Sequence, residues 1–185
     1  MELRGFVDDN STLWGTVIDG YEIHGGIDWL ASQGNLWCVC AIGVSKVRKK
    51  VIEKARQYQN IQFATLIDPS VQMSERIEIG EGSIICARSL LTVDIRIGEH
   101  VIINLACTVG HDACLANYVT LYPSVNISGF ANIGECAELG TGMQIIQGKN
   151  IGANSIIGAG AVVIKDIPNN CVAVGSPAKV IEHFD

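Results

Sequence analysis

The sequence predicts a mainly β protein: a parallel β-helix built on a six-residue repeat and preceded by a small α/β unit. Three observations carry this reading. Counting in sixes from Ile67 reaches Met73, Ile79, Ile85, Leu91, Ile97, Ile103, Val109, Leu115, Leu121, Ile127, Ile133, Leu139, Ile145, Ile151, Ile157 and Val163 without an insertion. Four residues after most of these slots comes a small or β-branched side chain, as at Ser83, Ser89, Val101, Cys107, Ala113, Val119, Ala131, Ala137 and Ala161. Glycine often follows the slot directly, at Gly80, Gly98, Gly110, Gly134, Gly140, Gly152 and Gly158.

A simple amphipathic strand repeats every second residue and a helix every 3.6. A sustained period of six with one large aliphatic per repeat instead describes short flat faces, three to a coil of about 18 residues. Glycine or asparagine is expected to relieve the backbone at each corner. The aliphatics then stack into one continuous core. Residues 67–163 make about five coils, on the order of 25 Å long at the usual strand spacing. Periodicity alone carries no information about the hand of the coil.

Residues 1–66 read as α/β. Apolar, β-rich runs at 3–7 and 36–42 alternate with helical candidates at 27–33 and 47–58. In the second of these, Val47, Val51, Ile52, Ala55 and Tyr58 fall at helical spacing. A small parallel sheet with a crossover helix fits this order, joined through 63–68 to a first coil at Pro69. The domains expected are therefore 1–66, a β-helix over 67–164, and a capping tail over 165–185. A β-helix leaves an unpaired strand edge at each end, which the flanking segments would cover.

The formal net charge of −6 argues against non-specific nucleic-acid binding. Six of the thirteen Lys and Arg lie between Lys46 and Arg56, the pattern of a solvated helix face. No stretch approaches the ~18 uninterrupted apolar residues of a membrane span, and the start lacks the apolar core of a signal peptide, so a cytoplasmic location is expected. The seven cysteines form no C-x-x-C pair, and several, such as Cys107 and Cys136, fall where the repeat wants a small apolar residue. Neither zinc nor a disulfide framework is expected.

Several motifs, in order and spacing, carry a resemblance over nearly the whole chain. They are Gly5-Phe6-Val7-Asp8-Asp9, Ala41-Ile42-Gly43 with Arg48 following, Ile67-Asp68-Pro69-Ser70, Ile102-Ile103-Asn104, Gly110-His111-Asp112, the run from Ile157-Gly158-Ala159-Gly160 to Val163, and Val174-Gly175-Ser176-Pro177-Ala178-Lys179. The chain resembles the sugar acetyltransferases of the sialic acid O-acetyltransferase and bacillosamine-pathway type. The resemblance implies a left-handed β-helix, a homotrimer with active sites between neighbouring prisms, and transfer of acetyl from the co-substrate acetyl-CoA to a sugar. Left-handed crossovers run against the usual rule for parallel strands, so the hand comes from the resemblance alone. Family members normally begin with a strand and a G-x-x-G-H-G turn. Here the chain starts at what would be the second strand, so the nucleotide subsite is expected to be incomplete, with Asp8, Asp9 and Gly43 at matching acceptor positions.

The chemistry centres on His111. Acetyl transfer needs a base for the proton of the attacking amine or hydroxyl, and imidazole suits neutral pH. His111 sits two residues after a core aliphatic, at a corner, and the matched motif makes it the general base. Asp112 fills the place of the acidic residue that raises the histidine's basicity, although many family members carry the longer Glu there. Positions 18 apart stack, so Gly129 lies one coil beyond His111, where its N–H is placed to serve the thioester oxygen. Asn104 is expected to hold the acceptor or brace the base. For CoA, the resemblance points to Thr141 and Ala159, and Thr120 stands where some members have a histidine that contacts substrate and CoA; Lys165 and Lys179, near the C-terminal end, are candidates for the CoA phosphates or simply solvated lysines. The favoured acceptor is the amino group of a nucleotide-linked amino sugar in bacterial surface glycan synthesis; the hydroxyl of a sialic acid or another sugar is the alternative. A non-catalytic β-helix scaffold would need no base at position 111. A metal-dependent hydratase would need three converging histidines, and only His100 and His111 lie in the repeat.

Overall fold

The structure, a computed structural model, describes residues 2–184. The chain divides into two compact units, residues 2–38 with 50–63 and residues 39–49 with 64–184.

The second unit is a parallel β-solenoid with three faces. One face stacks Leu66–Ile67, Ile84–Ile85, Ile102–Ile103, Thr120–Leu121, Glu138–Leu139 and Ile156–Ile157, and is extended by Cys171–Val174 and the antiparallel Lys179–His183. The next stacks Gln72–Met73, Leu90–Leu91, Thr108–Val109, Asn126–Ile127, Gln144–Ile145 and Val162–Val163. The last stacks Ile77–Ile79, Ile95–Ile97, Cys114–Leu115, Asn132–Ile133 and Asn150–Ile151. Rungs are offset by 18 residues, as in Thr108 opposite Asn126 and Val109 opposite Ile127, until the last coil, where the offset falls to 16, as in Ile156 opposite Val172. The predicted slots from Ile85 to Val163 are all buried, as are the small residues four positions later. The first three slots are the exception, Ile67 and Met73 at 42% and 38% exposed and Ile79 only partly buried, because the first coil has a stacking partner on one side only.

The corners differ from the expectation of glycine or asparagine. The backbone turns left-handed at every sixth residue, and nine of these positions are neither: Arg88, Asp94, His100, Ala106, Asp112, Tyr118, Ser124, Phe130 and Cys136. Such a residue costs roughly 1 kcal/mol or more, but each gains a bond between coils, as in Asp112 N–H to Val93 O (3.1 Å) and Phe130 N–H to His111 O (2.9 Å). The glycines directly after the slots serve close approach instead. A Cβ on Gly110 would meet Gly129 N at 2.5 Å.

In the first unit, Leu36–Cys38 pairs in parallel with Ile61–Phe63, and the connection between them includes helix α1, Ser45–Ala55. A parallel pair with a crossover helix is present, but its second strand, Ile61–Phe63, is not among the apolar runs read as strands, and the 36–42 run is a strand only to Cys38. The helical candidate at 27–33 is a 3-10 helix, Ile27–Ser32. The run at 3–7 forms only a bridge between Phe6 and Ile23. A hairpin, Val17–Ile18 with Tyr21–Glu22, completes the unit. Among the described residues, no helix is long and apolar enough to cross a membrane.

Candidate active site

The strand Thr108–Val109 is followed by Gly110, whose missing side chain lets the next coil approach, and His111 comes next in the corner, exposed. Asp112 takes the left-handed position (φ 56°). His111 Nδ1 lies 2.8 Å from Asp112 Oδ2, with the two side chains 48% and 42% exposed. A carboxylate only accepts, so the proton sits on Nδ1, and in the neutral ring Nε2 keeps its lone pair. That nitrogen faces the next coil. A Cβ on Gly129 would lie 2.7 Å from His111 Nε2, so the imidazole rests against the glycine backbone. The coil bonds at this corner, Gly110 N–H to Ile127 O and Phe130 N–H to His111 O, do not use the Gly129 N–H. Phe130 meets the imidazole edge to face, 4.9 Å between centroids at 88°. Phe130 is not among the residues that the motifs single out, although the sequence marks it as a large aromatic at a corner slot, 18 residues after Asp112.

The structure thus brings the His111 imidazole, the Asp112 carboxylate and the Gly129 backbone together at one corner. Lys165 is exposed and falls in the same column, three coils beyond His111. Thr141 and Ala159, both exposed, stack at the corner on the other side of the Asn126–Gln144 face, and Gly160 N–H bonds to Thr141 O at 2.9 Å. Lys179 is exposed in the C-terminal strand. Asn104 occupies the corner preceding that of His111 in the same coil, and its Oδ1 accepts from Leu105 N–H at 3.3 Å.

Thr120 departs from the expected contact with CoA. Its side chain is completely buried, its hydroxyl donating to Gly43 O at 2.8 Å and accepting from Arg48 Nη2 at 2.9 Å. The face that carries Thr120 is covered by the 39–49 segment of the same unit. Glu138, one coil on, accepts from Ser45 N–H and Oγ, both at 2.9 Å, and from the Tyr122 hydroxyl at 3.1 Å. Burial first, and the Glu138 carboxylate second, push the Tyr122 pKa upward, so the phenol stays a donor.

In the first unit, Asp8 Oδ1 accepts from Asn10 N–H at 2.7 Å, and Asp8 O accepts from the Trp14 indole N–H at 2.7 Å. Asp9 accepts from Ile27 N–H at 2.9 Å and lies 3.4 Å from Lys54 Nζ. It lines a cavity of about 480 Å³ with Trp14, His24, Asp28, Trp29 and Lys54. The Tyr58 hydroxyl and the Lys54 ammonium hold the Asp28 carboxyl below its ordinary pKa. Among the described residues, Glu81, Glu99 and His100 bring one possible metal-ligand atom each within 4.8 Å of one another. This three-donor set differs from the three histidines that a hydratase would need.

No protein-family profile matches the chain. GDP-perosamine N-acetyltransferase of Escherichia coli O157:H7 is 31% identical over 180 residues, covering 94% of this chain and 80% of that protein. PerB from Caulobacter crescentus, solved with CoA and GDP-perosamine, superposes with a TM-score of 0.85 at 34% identity, covering 89% of this chain and 81% of that one. The acetyltransferase domain of PglB from Neisseria gonorrhoeae, solved with acetyl coenzyme A, gives a TM-score of 0.89 at 31% identity, covering 96% and 85%. The chain also matches other curated relatives at higher identity over short stretches, spanning only 25% of the length of one and 26% of another. Full-length similarity at this level, on a solenoid with a histidine and carboxylate at one corner, shows that the chain belongs to the hexapeptide-repeat sugar acyltransferases.

Proposed function

We propose that this chain is an acetyl-CoA-dependent transferase that acetylates the amino group of a nucleotide-linked amino sugar. The observation that carries the reading is the corner itself: His111 Nδ1 held by Asp112 at 2.8 Å with Nε2 directed at Gly129, in a chain similar along its length to perosamine N-acetyltransferases.

His111 Nε2 takes the proton that the amine loses as it attacks the thioester carbonyl, and Asp112 stabilises the imidazolium that results. The Gly129 N–H donates to the carbonyl oxygen as negative charge develops there. The C–S bond then breaks, the His111 imidazolium returns its proton to the departing sulfur so that CoA leaves as its thiol, and the new amide remains on the sugar. Asp8, Asp9, Gly43 and Asn104 serve the acceptor. Thr141 and Ala159 flank the CoA chain, and Lys165 and Lys179 meet its phosphates. The unit of function is a homotrimer with a left-handed coil in each protomer, working in the cytoplasm where acetyl-CoA is available.

Free-thiol release from acetyl-CoA, measured with nucleotide-linked 4-amino sugars, sialic acid and serine, tests this. Release with an amino sugar supports N-acetylation. Release only with sialic acid moves the reaction to a hydroxyl, and acetyl-CoA binding without release from any of the three removes the acceptor assignment.

A further inference from the structure

Arg48 is completely buried, which is costly for a cation that ordinarily stays in water. Its Nε donates to His100 O at 3.0 Å. Nη1 donates to Ile42 O at 2.6 Å and Gly43 O at 3.0 Å. Nη2 donates to Tyr118 O at 2.7 Å, Val119 O at 3.2 Å and the Thr120 hydroxyl at 2.9 Å. One guanidinium therefore ties two successive coils of the solenoid, through residues 100 and 118–120, to two successive carbonyls of the 42–44 loop. Only a planar fork with five donors spans such a set; a lysine ammonium has three donors around one point.

The grip on the loop has a directional consequence. In a trans peptide, the carbonyl of one residue and the N–H of the next point in opposite directions. With Ile42 O and Gly43 O both turned onto the guanidinium, the N–H groups of Gly43 and Val44 are turned away from it. Thr120 reinforces the turn by donating to Gly43 O at 2.8 Å. Glu138 holds the following residue, Ser45, by its N–H and its hydroxyl. The Tyr122 hydroxyl, donating to Glu138, stands 4.0 Å from where a Gly43 Cβ would be.

We propose that Arg48 is a positioning residue for the acceptor: by holding the carbonyls of Ile42 and Gly43 against the solenoid, with Thr120 as its second support, it presents the outward edge of Gly43 to the nucleotide-linked sugar. This rests on the reading of Gly43 as part of the acceptor subsite. Arg48 touches no reacting atom in this role, so its loss acts on acceptor binding and leaves acetyl-CoA binding alone.

Steady-state kinetics with both substrates varied, on Arg48→Lys, Thr120→Val and Thr120→Ser, test the role alongside thermal melting. Thr120→Val keeps the shape and removes the hydroxyl that supports Gly43, whereas Thr120→Ser keeps it. The expected result is a rise of roughly three- to tenfold in KM for the amino-sugar nucleotide in Thr120→Val, the scale of one lost hydrogen bond. A larger rise is expected in Arg48→Lys, recovery toward wild type in Thr120→Ser, and a KM for acetyl-CoA within about twofold throughout. Should Arg48→Lys fail to fold, the Thr120 pair decides. Equal changes in both KM values, or a lower melting temperature with both KM values intact, would reduce Arg48 to a structural role and overturn the proposal while leaving the acceptor reading in place. A wild-type protein that acetylates no nucleotide-linked amino sugar overturns the acceptor reading itself, and the positioning role with it.

Discussion

The solenoid carries two histidines at its corners, and they are built in opposite ways. His100 is completely buried. Its ring lies parallel to that of Tyr118 one coil on, with centroids 5.6 Å apart at 5°, and Arg48 holds its carbonyl. A Cβ on Gly82 would meet His100 Nδ1 at 2.2 Å. The side chain of His111 is half exposed and paired with Asp112, in a T-shaped contact with Phe130. Both residues are imidazoles at corners of one regular coil. What separates them is cover: the 39–49 segment packs on the corner column of residues 100, 118 and 136, through Arg48 and Ser45, whereas the His111 side chain stands half out of the surface. A base needs a reachable lone pair as well as a suitable side chain.

The largest expected effect tests this contrast directly. His111→Ala should lower turnover by about 10² or more with little change in melting temperature. His100→Ala should do the reverse, destabilising by about 2–4 kcal/mol through the cavity it leaves while turnover at saturating substrates holds within a few-fold. Parallel melting curves and thiol-release rates check both, and equal losses of turnover would erase the distinction between the two corners.

Gly129→Ala sharpens the comparison on one side. The added Cβ would start 2.7 Å from His111 Nε2, so the ring must rotate away from Asp112 or the coil must shift. Turnover is expected to fall by roughly tenfold or more, on the scale of a disturbed oxyanion donor, with a smaller loss of stability. An unchanged rate in Gly129→Ala would mean that the reaction does not depend on the resting position of the ring against this glycine.

The smallest effect is expected from Phe130→Leu. It removes an edge-to-face contact worth about 0.5–1.5 kcal/mol and should reduce kcat/KM a few-fold, with no shift in the KM for the acceptor. A purely stabilising role for Phe130 would show in melting alone.

Much of the second unit was legible from spacing, because a stacked solenoid requires the same kind of residue in the same slot of every coil. The inward register from Ile85 to Val163 followed from counting, and so did the stacking of Gly129 on His111. The first unit was less legible. Apolar patterning marked the strand at Leu36 and the helix after it, but it missed the partner strand Ile61–Phe63, and the run at 3–7 formed only a bridge. Apolar composition sets strand propensity, while pairing needs a neighbour at the right distance.

The sequence by itself determined the coil, its register and the corner at which His111 and Asp112 adjoin, since these depend only on residues at fixed intervals. The tertiary structure decided which corner is covered and which is open. It placed Arg48, Thr120 and Glu138 in one buried polar cluster, although they lie far apart along the chain. It also left the corner glycines to close approach between coils, with the left-handed turns falling mostly to other residues. These outcomes depend on which backbone comes to lie against which, and a six-residue period carries no record of the segment that packs outside it.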